Sequence, residues 1–173
     1  MRRATVGLGA VIVLVLAVGA CELRRQIIHR SYVHANNAVR TMLAAQAAYA
    51  SRNGGFFDEP RCLGAPSRCL PDYSADKPPF LEAALASLDP DHGYDRKFYA
   101  GLTAPAEVVA KGRVSSSSVS SWAYVVTPTS WLQTLGLTVS LCGDSRGMMC
   151  LRYDGTMPPA RYGRCPEQCL VMG

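Results

Sequence analysis

A stretch of about fifty residues, from Ala4 to Arg52, carries the pattern of one continuous helix. It opens with an uninterrupted apolar run, Ala4–Ala20, which leads into a charged collar of sequence ELRR. The segment that follows, HRSYVHANNAVRTMLAAQAAYASR, contains neither proline nor glycine. The glycines of Asn53-Gly54-Gly55 then supply a helix stop. The pattern predicts one long helix around which the rest of the chain is organised.

The two halves of this helix predict different surroundings. The apolar run would span roughly 26 Å as a helix, slightly less than the ~30 Å hydrocarbon core of a bilayer. The second half has one apolar stripe at helical spacing, which is typical of a helix packed on a domain. The stripe comprises Val39, Met42, Leu43, Gln46, Ala47 and Ala50. We therefore expect a membrane half, a charged boundary and an amphipathic half.

The remainder of the chain predicts strands. Four segments are enriched in β-branched and aromatic residues and separated by polar or glycine-containing loops, which indicates an antiparallel meander. They are 94–102, 121–128, 136–142 and 148–153. A short helix is expected at 79–88, and the Asp89–Asp95 segment is interpreted as a solvated turn. The expected fold class is α+β, with the long helix packed on roughly four antiparallel strands.

Two segments carry a family resemblance. NNAVRTMLAAQAAYASRNGGF is similar to the helix end of bacterial type IV pilin-like proteins and pseudopilins, including the major pseudopilins of type II secretion. SLCGDSRGMMCLRYDG resembles the terminal hairpin of the same group. The resemblance implies a pilin-like fold and a structural or assembly role beside other such subunits.

The chain departs from that family at its start. Processed family members have a glutamate five residues into the apolar run, and counting back from Arg40-Thr41 places that position near Ala4. No acidic residue precedes Glu22, so no prepilin peptidase site is recognisable. We expect an uncleaved helix and a subunit that stays in the membrane, or one that caps or primes a filament.

The cysteines indicate an oxidising compartment. Six of the seven lie beyond the helix, at short spacings in a small domain, which favours disulfides over a zinc site. Local pairing is predicted, as Cys62–Cys69, Cys142–Cys150 and Cys165–Cys169, with Cys142 opposite Met148 in the last hairpin. Cys21 follows Val18-Gly19-Ala20 and is a candidate lipidation site. The other interpretation of Cys21 is a small residue at the end of an uncleaved anchor.

Charge and motifs exclude several functions. The net charge is +5, of which residues 1–30 carry +4, because they hold five arginines and one glutamate. The rest of the chain has +1, so we expect contact with membrane lipid and no nucleic-acid partner. The sequence contains no nucleotide-binding or zinc-protease motif. We expect no enzyme, no cofactor and no metal site, and His29 and His34 are interpreted as interface or solvated residues.

These observations predict a bacterial inner-membrane protein with residues 1–30 as anchor and collar. Residues 31–173 would form a pilin-like domain in the periplasm or outside the cell. The first hypothesis is a structural or assembly subunit of a type IV pilus or type II secretion-like apparatus. The alternative is a membrane-anchored or lipidated periplasmic binding module with a pilin-like fold, and a cell-envelope enzyme ranks last.

Overall fold

One helix, α1, runs from Arg2 to Ala50 in the computed structural model of the chain. The structure describes residues 2–112 and 114–172, with the side chains of 2–12 left outside the description. At 1.5 Å per residue, α1 is about 74 Å long. It ends as predicted before the glycines, where Gly55 N donates to Ala50 O at 2.9 Å.

The rest of the described chain forms one antiparallel sheet with short helices around it. The strands follow one another in chain order, β1-β2-β3-β4-β5, without crossovers. The predicted α+β class is confirmed, but the number of strands is five and not four. The elements are α2 (Pro60–Gly64), a 3₁₀ turn (Pro66–Arg68), α3 (Ala83–Ala86), β1 (Tyr94–Ala100), α4 (Ala106–Ala110), β2 (Trp122–Pro128), α5 (Ser130–Thr134), β3 (Ser140–Asp144), β4 (Met149–Arg152) and β5 (Leu170–Met172).

The second half of α1 packs on one face of the sheet. Val39, Met42 and Gln46 are fully buried, as the predicted stripe requires. Leu43 is half-buried at the edge of the contact, and Ala47 is exposed, so its inclusion in the stripe was wrong. The buried face of α1 is rotated slightly from the predicted stripe, since it also includes Ala35, Ala45 and Tyr49.

Helix and sheet approach each other most closely at Gly143 of β3. A Cβ atom built at Gly143 would lie 2.7 Å from Val39 Cγ1 and 3.3 Å from Leu43 Cγ. Glycine is therefore used here for its lack of a side chain and not for an unusual backbone conformation.

Gly143→Val should consequently separate α1 from β3. Because the added side chain has no free volume, we expect overpacking to lower the free energy of unfolding by about 1–3 kcal/mol. Chemical denaturation of both proteins measures this loss. Gly147→Val is not a suitable control because Gly147 has φ 76°, whereas Ser145→Val on the same hairpin meets no such constraint. Equal stability of the Gly143→Val protein would contradict the close approach.

The last hairpin has a different register from the predicted one. Cys142 pairs with Cys150 and Gly143 with Met149, whereas Cys142 was expected opposite Met148. Asp144 N donates to Met148 O at 3.1 Å, and Gly147 has φ 76°. The strands therefore continue closer to the turn than predicted, since a glycine in the left-handed conformation allows a three-residue loop.

All six cysteines beyond α1 are disulfide-bonded, but only one predicted pair is correct. Cys62–Cys69 closes the small loop after α2, as expected. The pairs Cys142–Cys150 and Cys165–Cys169 were wrong, because the structure joins Cys142 to Cys165 and Cys150 to Cys169. The Cα–Cα distances are 5.9 and 5.5 Å.

The physical reason for these pairs lies in the register. Cys142 and Cys150 are direct neighbours across β3 and β4, so both side chains emerge on the sheet face opposite α1. The tail lies across that face and offers one cysteine to each. The Cys150–Cys169 disulfide also brings residues 170–172 beside β4, where they form the unpredicted fifth strand.

Candidate functional site

Residues 13–23, the bare half of α1, have every side chain exposed. Val13, Leu14, Val15, Leu16 and Val18 each have between 62% and 67% of their surface exposed. Successive residues of a helix are rotated by about 100°, so these five side chains cover every side. A helix that is apolar all round requires an apolar environment on all sides.

No helix in the part of the chain that the structure describes combines the length and apolar character needed to cross a membrane. The predicted span, Ala4–Ala20, begins among residues 4–12, whose side chains lie outside the description.

The domain first touches α1 at the predicted collar. Arg24 Nε donates a hydrogen bond to Leu135 O, 2.5 Å away, at the end of α5. Gly136 follows with φ 89°, and a Cβ there would lie 2.6 Å from an Arg24 guanidinium nitrogen. Ile27 and Ile28 are half-buried against the core just beyond. This collar arginine therefore fixes the helix to the domain.

Cys21 lies one turn before this contact. It is exposed and is the one free cysteine among the described residues. Its side chain is accessible to modification from the side of the helix.

Three residues of the pilin-like segment at the end of α1, namely Gln46, Tyr49 and Asn53, make hydrogen bonds inside the domain. Gln46 Nε2 donates to Asp58 O at 2.6 Å, and Tyr49 Oη donates to the buried Asp58 Oδ2 at 2.9 Å. Burial, together with the charge of Asp58, raises the pKa of Tyr49 far above its ordinary value. Asn53 bonds Ser118 Oγ and accepts from Ser115 N, both at 2.8 Å. Together these side chains join the helix end to two distant loops.

A histidine pair, which sequence reasoning missed, lies where α1 passes the start of β1. The rings of His34 and His92 are stacked, with centroids 3.7 Å apart and planes 10° from parallel. His92 Nδ1 lies 2.7 Å from Asp91 Oδ1. Partial burial raises the pKa of Asp91, but the hydrogen bond and charge of His92, with Arg96 and His34, outweigh it and lower that pKa overall.

This arrangement does not favour a metal. Imidazole lone pairs lie in the ring plane, so two parallel rings cannot direct them at one ion between them. Among the described residues, the one close group of three potential ligands is Cys142, Cys150 and Cys165. Their sulfurs are in disulfides and offer no thiolate. The predicted Asp89–Asp95 turn carries His92, with φ 48° at His92 and 82° at Gly93, and His34 lies on α1.

The candidate sites are thus spread along the molecule. The exposed helix and Cys21 lie at one end, the histidine pair beside the helix, and the cysteines of the tail on the opposite face of the sheet. Comparisons with protein-family models, with curated proteins and with solved structures found nothing that matches this chain.

Proposed function

We propose that this protein is a membrane-anchored, pilin-like structural or assembly subunit whose disulfide-bonded domain lies outside the cytoplasm. The observation that carries the proposal is the bare half of α1, residues 13–23, whose large apolar side chains are exposed on every side. Its partners are membrane lipid along this half and other pilin-like subunits of a pilus or secretion-like apparatus.

The energetics of the exposed helix support an apolar partner. Burying one valine or leucine side chain contributes roughly 1.5–3 kcal/mol. The six large apolar residues exposed between Val13 and Leu23 therefore represent on the order of 10 kcal/mol. Lipid, or the helices of neighbouring subunits, would supply that free energy, and the domain of the same chain does not.

The rest of the molecule agrees with this function. Three disulfides in one small domain suit an oxidising compartment. The layout of a long first helix against an antiparallel meander is consistent with a pilin-like subunit. Gln46, Tyr49 and Asn53 of the pilin-like segment are buried, which gives this segment a structural role at the end of α1.

Replacing apolar residues of the bare helix should release the protein from membranes. We expect the Leu14→Lys/Leu16→Lys protein to move to the soluble fraction, since a lysine at the centre of a membrane helix costs about 3 kcal/mol. Carbonate extraction of bacterial membranes, followed by immunoblotting, measures the distribution. Leu102→Lys is the matched control, because Leu102 is 67% exposed on the domain and should not affect anchoring. Release of the unchanged protein by carbonate alone would contradict the anchor.

Intact mass and N-terminal sequencing of the membrane-bound protein then separate the two remaining functions. An unmodified, uncleaved start supports the anchored subunit. A lipid on the exposed Cys21 would instead favour the alternative, a lipidated periplasmic binding module. Surface fibres containing the protein along their length, with a trimmed and methylated start, would contradict the expectation of an uncleaved subunit that stays in the membrane or only caps or primes a filament.

A further inference from the structure

The tail contains a tight turn that presents two arginines together. Arg164 N donates to Arg161 O at 3.0 Å, and the two residues form an antiparallel bridge. Between them, Tyr162 has φ 53° and Gly163 has φ 66°, as in a two-residue type I′ turn. Directly opposed residues of such a bridge project to the same side. The sequence Arg-Tyr-Gly-Arg therefore holds two exposed guanidinium-bearing side chains next to each other.

Two like charges in this position repel each other. Among the described residues, no carboxylate lies within 4.0 Å of the Arg161 or Arg164 guanidinium. An arginine nearby, Arg146, does have such a partner, since its Nη2 lies 2.6 Å from Oδ2 of the buried Asp144. The turn thus keeps a pair of positive charges together without an internal partner.

The turn is held rigidly. A Cβ at Gly163 would lie 2.5 Å from the backbone carbon of Ser121, so the turn is pressed against the start of β2. Ser121 Oγ donates to Tyr162 O at 2.8 Å, and Cys165 N donates to Asp144 Oδ2 at 3.1 Å. The disulfide at Cys165 ties the same segment to β3. Rigid presentation lowers the entropy lost when a ligand binds.

A groove of about 600 Å³ runs beside the turn. Its charged lining comprises Arg146, Arg161, Arg164 and one acid, Glu167, and prolines form much of its wall. The Tyr162 ring, 76% exposed, stands at this groove in a backbone conformation that aromatic residues rarely adopt. The groove therefore offers positive charge beside a flat apolar ring face.

We propose that this groove binds a phosphorylated saccharide. A phosphoryl group carries two negative charges and several acceptor oxygens, so it can bridge two adjacent guanidiniums. Arg161 and Arg164 would hold that group, and Tyr162 would stack on the sugar ring. Relief of the repulsion between the two arginines adds to the affinity.

The position of the groove argues against a lipid headgroup of the same membrane. The turn contacts the start of β2 at Ser121 and Trp122. The other end of β2 leads into α5, which Arg24 contacts where α1 leaves the domain. The intervening strand is about 20 Å long, so the groove lies far from the point where the helix emerges.

Titration of the full-length protein in a neutral detergent tests the proposal, with isothermal calorimetry as the measurement. The probes are glucose 6-phosphate, glucose and inorganic phosphate. We expect saturable binding of glucose 6-phosphate, weaker binding of phosphate and none of glucose. Arg161→Gln and Arg164→Gln should each weaken glucose 6-phosphate about tenfold, as expected for loss of a charge-assisted hydrogen bond. Arg68→Gln, which removes an exposed arginine outside the groove, should leave binding unchanged.

Tyr162→Asn separates the two parts of the site, because asparagine tolerates the left-handed conformation and lacks the ring. We expect it to reduce glucose 6-phosphate binding to the level of phosphate and to leave phosphate binding unchanged. Equal affinity of the unchanged protein for the two anions would overturn the saccharide assignment. Two further results would overturn the proposal: binding that Arg161→Gln and Arg68→Gln alter alike, and the absence of saturation up to about 10 mM.

Discussion

Met42→Asp should leave the domain largely unfolded. Met42 has no exposed surface and lies in the core between α1 and the sheet. The substitution removes a buried side chain and places a carboxylate where the core offers it no partner. We expect the free energy of unfolding to fall by at least about 4 kcal/mol, which is comparable with the whole stability of a marginal domain.

Ala47→Asp is the matched control, because Ala47 is exposed on the same helix, five residues later. It introduces the same charge, and the low helix propensity of aspartate in the last turn of α1 should cost only about 1 kcal/mol. Circular dichroism in the near ultraviolet and urea denaturation distinguish the two proteins. A stable, folded Met42→Asp protein would show that α1 does not pack on the sheet through this side.

Removing the two tail disulfides should free the tail from the sheet. The chain-entropy model gives about 3 kcal/mol each for the loops closed by Cys142–Cys165 and Cys150–Cys169. With all four cysteines changed to serine, we expect β5 to leave β4 and trypsin to cleave after Arg161 and Arg164. The measurement is limited proteolysis with mass spectrometry of the fragments.

The protein with Cys62→Ser and Cys69→Ser is the control for this experiment. It loses a disulfide of the small loop, for which the same model gives about 2 kcal/mol, and its tail should stay resistant to trypsin. Peptide mapping of the unchanged protein without reduction provides an independent check. A peptide that joins Cys142 to Cys150 would contradict the connectivity on which the prediction rests.

The helix could be predicted because its signals are local. Val39, Met42 and Gln46 recur at helical spacing, and Gly54 and Gly55 mark the stop within a few residues of the observed end. Strands β1, β2 and β4 were also located, since their enrichment in β-branched and aromatic residues is a property of each segment. The third strand was placed too early, at 136–142, because β3 runs from Ser140 to Asp144. β5 was missed because three residues after a cysteine give no periodicity to detect.

The features that were missed depend on residues far apart in the chain. His34 and His92 meet because α1 packs beside a turn that follows 58 positions later, and no spacing rule connects them. The disulfide pairs depend on the path of the tail across the sheet. The Arg161–Arg164 turn had a local signal in Gly163, but tyrosine in place of the usual asparagine or glycine before it concealed the turn type.

The continuity of α1 has a mechanical consequence. The helix passes from its bare half into the domain without a proline or a loop, and Arg24, Ile28 and Ser31 fix its rotation against the domain. Residues 13–23 and the domain therefore rotate together, with no flexible joint between them. A partner that binds the bare half therefore fixes the orientation of the domain about the helix axis. A rotation of the bare half about that axis is transmitted directly to the sheet face opposite α1.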